Sequence, residues 1–177
     1  WRNNPLPSGN WLLGITYGNN TFVAVCKDWI GHTGTIVISP DGTSWTLALA
    51  VTPNGFIGVT YGNTTFVVVG IGGTILTSPN GTNWTSRNSG TTHDLYGVTY
   101  SNNTFVAVGD LGTIVTSPDG ADWTSRLSGT EQWLSGVAYG HNTFVAVGGG
   151  GTILTSPDGT NWTSRNSGTT HDLYGVT

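Results

Sequence analysis

The chain has 177 residues, of which only 8% are charged, and its five basic against nine acidic side chains leave a net charge of −4, which excludes the basic footprint of a DNA- or RNA-binding surface. Its length suffices for one domain with a real core, and 28 glycines and eight tryptophans, set among many Thr, Asn and Val, indicate short strands joined by tight turns rather than a disordered chain. No apolar run approaches the roughly 18 residues a bilayer-crossing helix needs, so no membrane insertion is expected.

The first element, Trp1-Arg2 (residues 1–3), matches the fourth strand of a repeating unit. Four full units follow, at about 11–49, 55–88, 94–127 and 133–166, and residues 172–177 repeat the opening strand of a fifth. The period is 39 residues, read from Trp45, Trp84, Trp123 and Trp162 and from the segments that begin at Thr65, Thr104 and Thr143. The first unit carries five extra residues between Cys26 and Thr33. Residues 74–99 and 152–177 differ only at Asn80 against Asp158, the mark of a duplication that has barely diverged.

Each unit reads as four strands, seen in the third as Leu95–Tyr100, Thr104–Val108, Thr113–Ser117 and Trp123–Arg126. Ser101-Asn102-Asn103, Gly109 to Gly112 and Pro118-Asp119-Gly120 supply the turns between them. The second strand is apolar on both sides of its pleat, with Phe105 and Ala107 facing one way and Val106 and Val108 the other. Such a strand needs cover on both faces. Sheets stacked radially meet that need, so the expected fold is an all-β propeller of four-stranded antiparallel blades spanning 1–177, with four full blades and parts of a fifth. A parallel β-helix is the competing repeat architecture, and it normally uses shorter coils without hairpin turns.

Between the third and fourth strands every unit carries Ser-Pro-Asp/Asn-Gly-x-x-Trp. Its copies are Ser39, Asp41, Gly42 and Trp45; Ser78, Asn80, Gly81 and Trp84; Ser117, Asp119, Gly120 and Trp123; and Ser156, Asp158, Gly159 and Trp162. This resembles the Asp-box (BNR-like) repeat of sialidase-type propellers, photosystem II assembly factors and sortilin-like receptors. The resemblance covers nearly the whole chain and implies the propeller fold, but it does not select a function, because unrelated activities share that scaffold. In physical terms Asp or Asn accepts backbone amides, Gly takes a positive φ, and the indole is expected to plug the space between blades, where its loss would cost about 3–5 kcal/mol if fully buried. One carboxylate per turn makes no metal cluster.

By that resemblance an enzyme of sialidase type would need an arginine cluster and a tyrosine with a partner glutamate. Here Arg87, Arg126 and Arg165 are copies of one repeated position, and Glu131 is the sole glutamate. No nucleophile elbow, phosphate loop or metal-spaced His/Cys group occurs. The expectation is a non-catalytic protein without cofactor or metal.

Ligands of similar propellers usually meet the face opposite the Ser-Pro turns, and there the units stop matching. The insertion presents Cys26, Lys27, Asp28, Trp29, Ile30 and His32, and connections between units add Trp11, His93, Asp94, Gln132, Trp133, His171 and Asp172. Trp11, Lys27, Asp28, Trp29, His32, His93, Asp94 and Trp133 are the candidate ligand-binding residues. An exposed indole flanked by polar groups suits a sugar ring, and each such Trp has the plainer alternative of folding over its own loop. His93-Asp94 and His171-Asp172 are duplicated copies that inheritance explains equally well. Cys26 replaces a strand-end glycine and reads as an inert small residue. The partner expected is a glycan or a protein, and the unpaired terminal strands favour association with another copy of the chain. Absence of methionine and a start at Trp1 read as a processed or excised portion, and low charge with abundant Thr, Asn and Gly leans toward an extracellular, surface or periplasmic protein.

Overall fold

The structure, a computed structural model, describes residues 9–29 and 33–177; the strand expected at 1–3 and the candidates Ile30 and His32 lie outside them. Among the described residues sixteen strands form four separate sheets of four, each antiparallel and in chain order. The inner strands are β1 (Asn10–Gly18), β5 (Phe56–Gly62), β9 (Leu95–Ser101) and β13 (Leu134–Gly140). Next come β2 (Thr21–Asp28), β6 (Thr65–Gly70), β10 (Thr104–Gly109) and β14 (Thr143–Gly148). Third are β3 (Gly34–Ser39), β7 (Ile75–Ser78), β11 (Ile114–Ser117) and β15 (Ile153–Ser156). The outer strands are β4 (Thr46–Thr52), β8 (Thr85–Arg87), β12 (Thr124–Arg126) and β16 (Thr163–Arg165).

Local chemistry explains the hairpins. The first and second strands of each sheet are joined by two residues with positive φ, Asn19-Asn20, Asn63-Thr64, Asn102-Asn103 and His141-Asn142. Two left-handed residues in succession match the twist of the strands they join, and Asn tolerates that conformation. Each inner strand also carries one irregularity in its pairing near its start, between Leu12 and Gly14 in β1 and at the matching place in β5, β9 and β13. Its effect is to turn Phe56, Leu95 and Leu134 wholly into the interior.

The sheets are propeller blades. Inner strand packs on inner strand, β1 on β5, β5 on β9 and β9 on β13, and the doubly apolar second strand serves two blade interfaces at once. Phe105, Ala107 and Val115 share a cluster with Val67, Val69 and Ile75 of the blade before, while Val106, Val108 and Ile114 share one with Val137, Phe144 and Leu154 of the blade after. Each fully buried Val or Phe in these clusters contributes about 1.5–3 kcal/mol from burial alone. Close fit has a sequence requirement: a Cβ on Gly62 would lie 2.1 Å from the Tyr100 ring of the next blade, so only glycine lets that ring seat.

Among the described residues nothing covers the first blade on its leading face in this way. Leu12, Ile15 and Tyr17 are 50%, 61% and 54% exposed, whereas Phe56, Leu95 and Leu134, which match Leu12, are at 0%. On the trailing side of the fourth blade, residues from 172 onward lie along β13. The Leu173 N–H donates to the Gly148 carbonyl (3.0 Å) and the Ser135 hydroxyl to the Leu173 carbonyl (2.6 Å).

Candidate ligand-binding face

Antiparallel order sends the Asn turns and Ser-Pro turns to one end of every blade, and the turns between second and third strands to the other end, together with the connections between blades. The Ser-Pro end is tied up structurally. Asp119 Oδ1 accepts the Ala121 and Asp122 N–H groups (2.8 and 3.2 Å) and the Ser117 hydroxyl (3.0 Å). Asp158 and Asp41 repeat the pattern, and Asn80 makes the same bonds without charge. The amides favour the ionised form, so the carboxyls of Asp41, Asp119 and Asp158 sit below the usual aspartate range. The indole N–H of Trp84, Trp123 and Trp162 donates to the carbonyl of the glycine three residues earlier (2.8–2.9 Å), and in Trp45 the same bond is 3.2 Å.

These indoles are not the fully buried plugs expected. All four are half-buried; Trp84, Trp123 and Trp162 pack on the edges of the inter-blade clusters. The glycine hydrogen bond explains the difference, because it holds each ring over its own turn with one edge in solvent.

At the opposite end the insertion closes a short hairpin. The Asp28 N–H donates to the Thr33 carbonyl (3.0 Å), and the Thr33 hydroxyl donates to Asp28 Oδ2 (3.0 Å), so Asp28 holds its own loop. Trp11 pairs across β1 and β2 with Lys27. The structure brings Trp11 and Trp29 together edge to face, with ring centroids 5.0 Å apart at 89°. Both remain open to solvent, at 48% and 72% exposure. Cys26, one residue before Lys27 in β2, is fully buried, and burial pushes its thiol pKa up, which leaves it neutral and unreactive.

The other candidates are elsewhere and engaged. Asp94 Oδ1 accepts the Gly72 N–H of the preceding blade (2.8 Å), and Asp172 does the same for Gly150. His93 Nδ1 is 2.9 Å from Thr113 Oγ1. Trp133, which stands where the third unit has Asp94, is half-buried and packs on Tyr174 with centroids 5.7 Å apart at 39°. The pair that converges in the open is therefore Trp11 with Trp29, beside Lys27. Among the described residues no three His, Cys, Asp or Glu side chains come together in a way that could hold a metal ion.

No protein-family model and no curated protein matches the chain. Solved structures do. The chain is similar to YCF48 from Cyanidioschyzon merolae, with a TM-score of 0.70 and 18% identity over 97% of this chain and 61% of that one. It is also similar to a structure described as YCF48 bound to D1 peptide, with a TM-score of 0.61 and 18% identity over 87% of this chain and 52% of that one. The computationally designed Ika4 protein gives a TM-score of 0.62 at 15% identity, over 82% and 90% of the two chains. A thermostable family-43 glycoside hydrolase gives 0.52 at 11% identity, over 92% and 74%. The chain thus spans little more than half the length of either YCF48 structure, and at these identities the likeness is one of fold.

Proposed function

We propose that this chain is a non-catalytic binding module, working outside the cytoplasm, that takes a glycan or a protein segment on the face carrying the 26–33 hairpin. The exposed Trp11–Trp29 pair carries the reading. Two indoles set at right angles offer one ring face and one ring edge, a platform for the C–H face of a sugar or for an apolar side chain. The low charge of the chain, with its many Thr, Asn and Gly, supports an exported protein, and cell fractionation tests it. That one similar structure is described as holding a peptide supports a protein ligand, and the Asp-box resemblance suits either class. A glycan array and tryptophan-fluorescence titration of the hits test the site: Trp29→Ala is expected to abolish the response. An array without hits, together with an unchanged Trp29→Ala protein, rejects the glycan reading. An assembly-factor role rests on the Asp-box resemblance alone.

A second reading is structural, and a separate observation favours it. The exposed Leu12, Ile15 and Tyr17 match positions that blades two to four bury wholly (Phe56, Leu95, Leu134) or in part (Val59, Val98, Tyr61, Tyr100, Tyr139) against their predecessors. Such a face fits another blade of the same repeat, supplied by a second copy of the chain. Light scattering across a range of concentrations is expected to show a defined oligomer that Tyr17→Asp disrupts. A strict monomer at high concentration rejects it.

A further inference from the structure

The third blade departs from the second and fourth at three positions that line one cleft and at a fourth beside it. Leu111 stands where they have Gly72 and Gly150, Leu127 where they have Asn88 and Asn166, Glu131 where they have Thr92 and Thr170, and Asp110 where they have Ile71 and Gly149. Leu111, Leu127 and Glu131 line an open cleft of about 540 Å³ together with His93, Arg126 and Thr130, a volume in the range of small-ligand sites, about 300–1,000 Å³. This cleft is separate from the Trp11–Trp29 pair two blades away.

Two of these replacements work against local stability. Leu111 is held at φ +49°, the left-handed region, which a branched side chain avoids. Asn88 and Asn166 each accept the N–H of a following glycine, Gly90 or Gly168, at 3.0 and 2.9 Å, a turn bond that Leu127 cannot make. Both leucines then stand in water, at 56% and 87% exposure. Folding of the blade does not account for two locally unfavourable and exposed leucines on one cleft.

The surrounding chemistry selects the ligand. No hydrogen bond or ion pair occupies the Glu131 carboxylate among the described residues. Asp110 and Asp94 lie on the adjoining loops, joined by the Asp110 N–H to the Asp94 carbonyl (2.9 Å). Among the described residues Arg126 is the one Lys or Arg lining the cleft, and its Nε donates to Thr116 Oγ1 (2.8 Å). Three carboxylates, Glu131 in the cleft and Asp94 and Asp110 on its adjoining loops, stand against the Arg126 guanidinium, so the formal charge of this region is negative. No aromatic ring other than the His93 imidazole lines the cleft, so it lacks the indole or phenol face on which a sugar stacks. We infer that this cleft binds a short peptide segment in which an aliphatic side chain, seated between Leu111 and Leu127, is followed by a basic residue that pairs with Glu131.

The test is an amide chemical-shift titration of the full chain with three probes: acetyl-Ser-Leu-Lys-Ser-amide and its Leu-Glu and Ala-Lys counterparts. Leu-Lys is expected to move the amides of Leu111, Leu127 and Glu131 and to bind the tightest of the three. Leu127→Asn and Leu111→Gly install the residues that neighbouring blades already carry at these places, so both variants should fold. Each is expected to weaken Leu-Lys binding about tenfold, the loss for one leucine's apolar contact. Glu131→Gln should weaken Leu-Lys but not Leu-Glu. Unmoved cleft amides at millimolar peptide, equal binding of Leu-Lys and Leu-Glu, or affinity unchanged in the leucine variants would each overturn the inference. Trp29→Ala, which tests the other site, should leave these shifts as they are; losing them would place the peptide elsewhere.

Discussion

Trp123→Ala tests whether the Ser-Pro turn is a solvated ornament or part of the blade interface. Trp123 is half-buried against the cluster of Phe105, Val67 and Ile75, with its ring 6.4 Å from that of Phe105, and its indole donates to the Gly120 carbonyl at 2.8 Å. Full burial would make the truncation cost about 3–5 kcal/mol. Half that contact is about 2 kcal/mol, and the hydrogen bond adds about 1 kcal/mol, so the expected loss is about 3 kcal/mol. Trp123→Phe keeps most of the ring and forfeits the bond, for about 1 kcal/mol. Urea unfolding followed by far-ultraviolet circular dichroism measures both, with coincident transitions and unchanged m-values required before the numbers are compared. A loss below about 0.5 kcal/mol for Trp123→Ala, the range of ordinary surface changes, would refute the claim that the turn indole supports the interface. Equal losses for Ala and Phe would refute the apolar share of it.

Two further outcomes follow from the same geometry. The folded carboxyls of Asp119 and Asp158 lie below their ordinary value, so the stability they confer is present above the unfolded pKa, near 3.9, and is lost as pH falls through the folded pKa. Asp119→Asn with Asp158→Asn, which copies Asn80, should therefore flatten the decline in stability below about pH 4 in urea titrations at several pH values; an unchanged acid limb would contradict it. Asp94→Ala leaves the Gly72 N–H without its carboxylate and should lower stability by about 1–2 kcal/mol in the same assay, whereas a residue reserved for ligand would be neutral or stabilising to remove.

The architecture was legible because its causes are local and repeated. Strand parity around Phe105 to Val108, paired Asn turns and the 39-residue recurrence each report on a few neighbouring residues, and repetition lets four weak signals reinforce one another. The same logic located the insertion, since a departure from a period is visible without coordinates. The side-chain assignments were less accessible, because they depend on contacts between distant positions. Asp94 reads as an exposed polar residue until folding sets it against the amide of Gly72, 22 residues earlier. Trp133 looks like a spare indole until Tyr174 lies beside it. The box tryptophans looked buried because their period was perfect, yet regularity records duplication and not depth.

By itself, then, the sequence determined the period, the all-β character, the blade as a unit and the need for neighbours on both faces, since backbone preference and apolar alternation act within a strand or a turn. Only the tertiary structure decided which exposed groups converge. Trp11 met Trp29 across a hairpin, and Leu111 met Leu127 and Glu131 across the width of one blade, because nothing in the order of residues along a strand specifies which loop ends the folded sheets bring side by side.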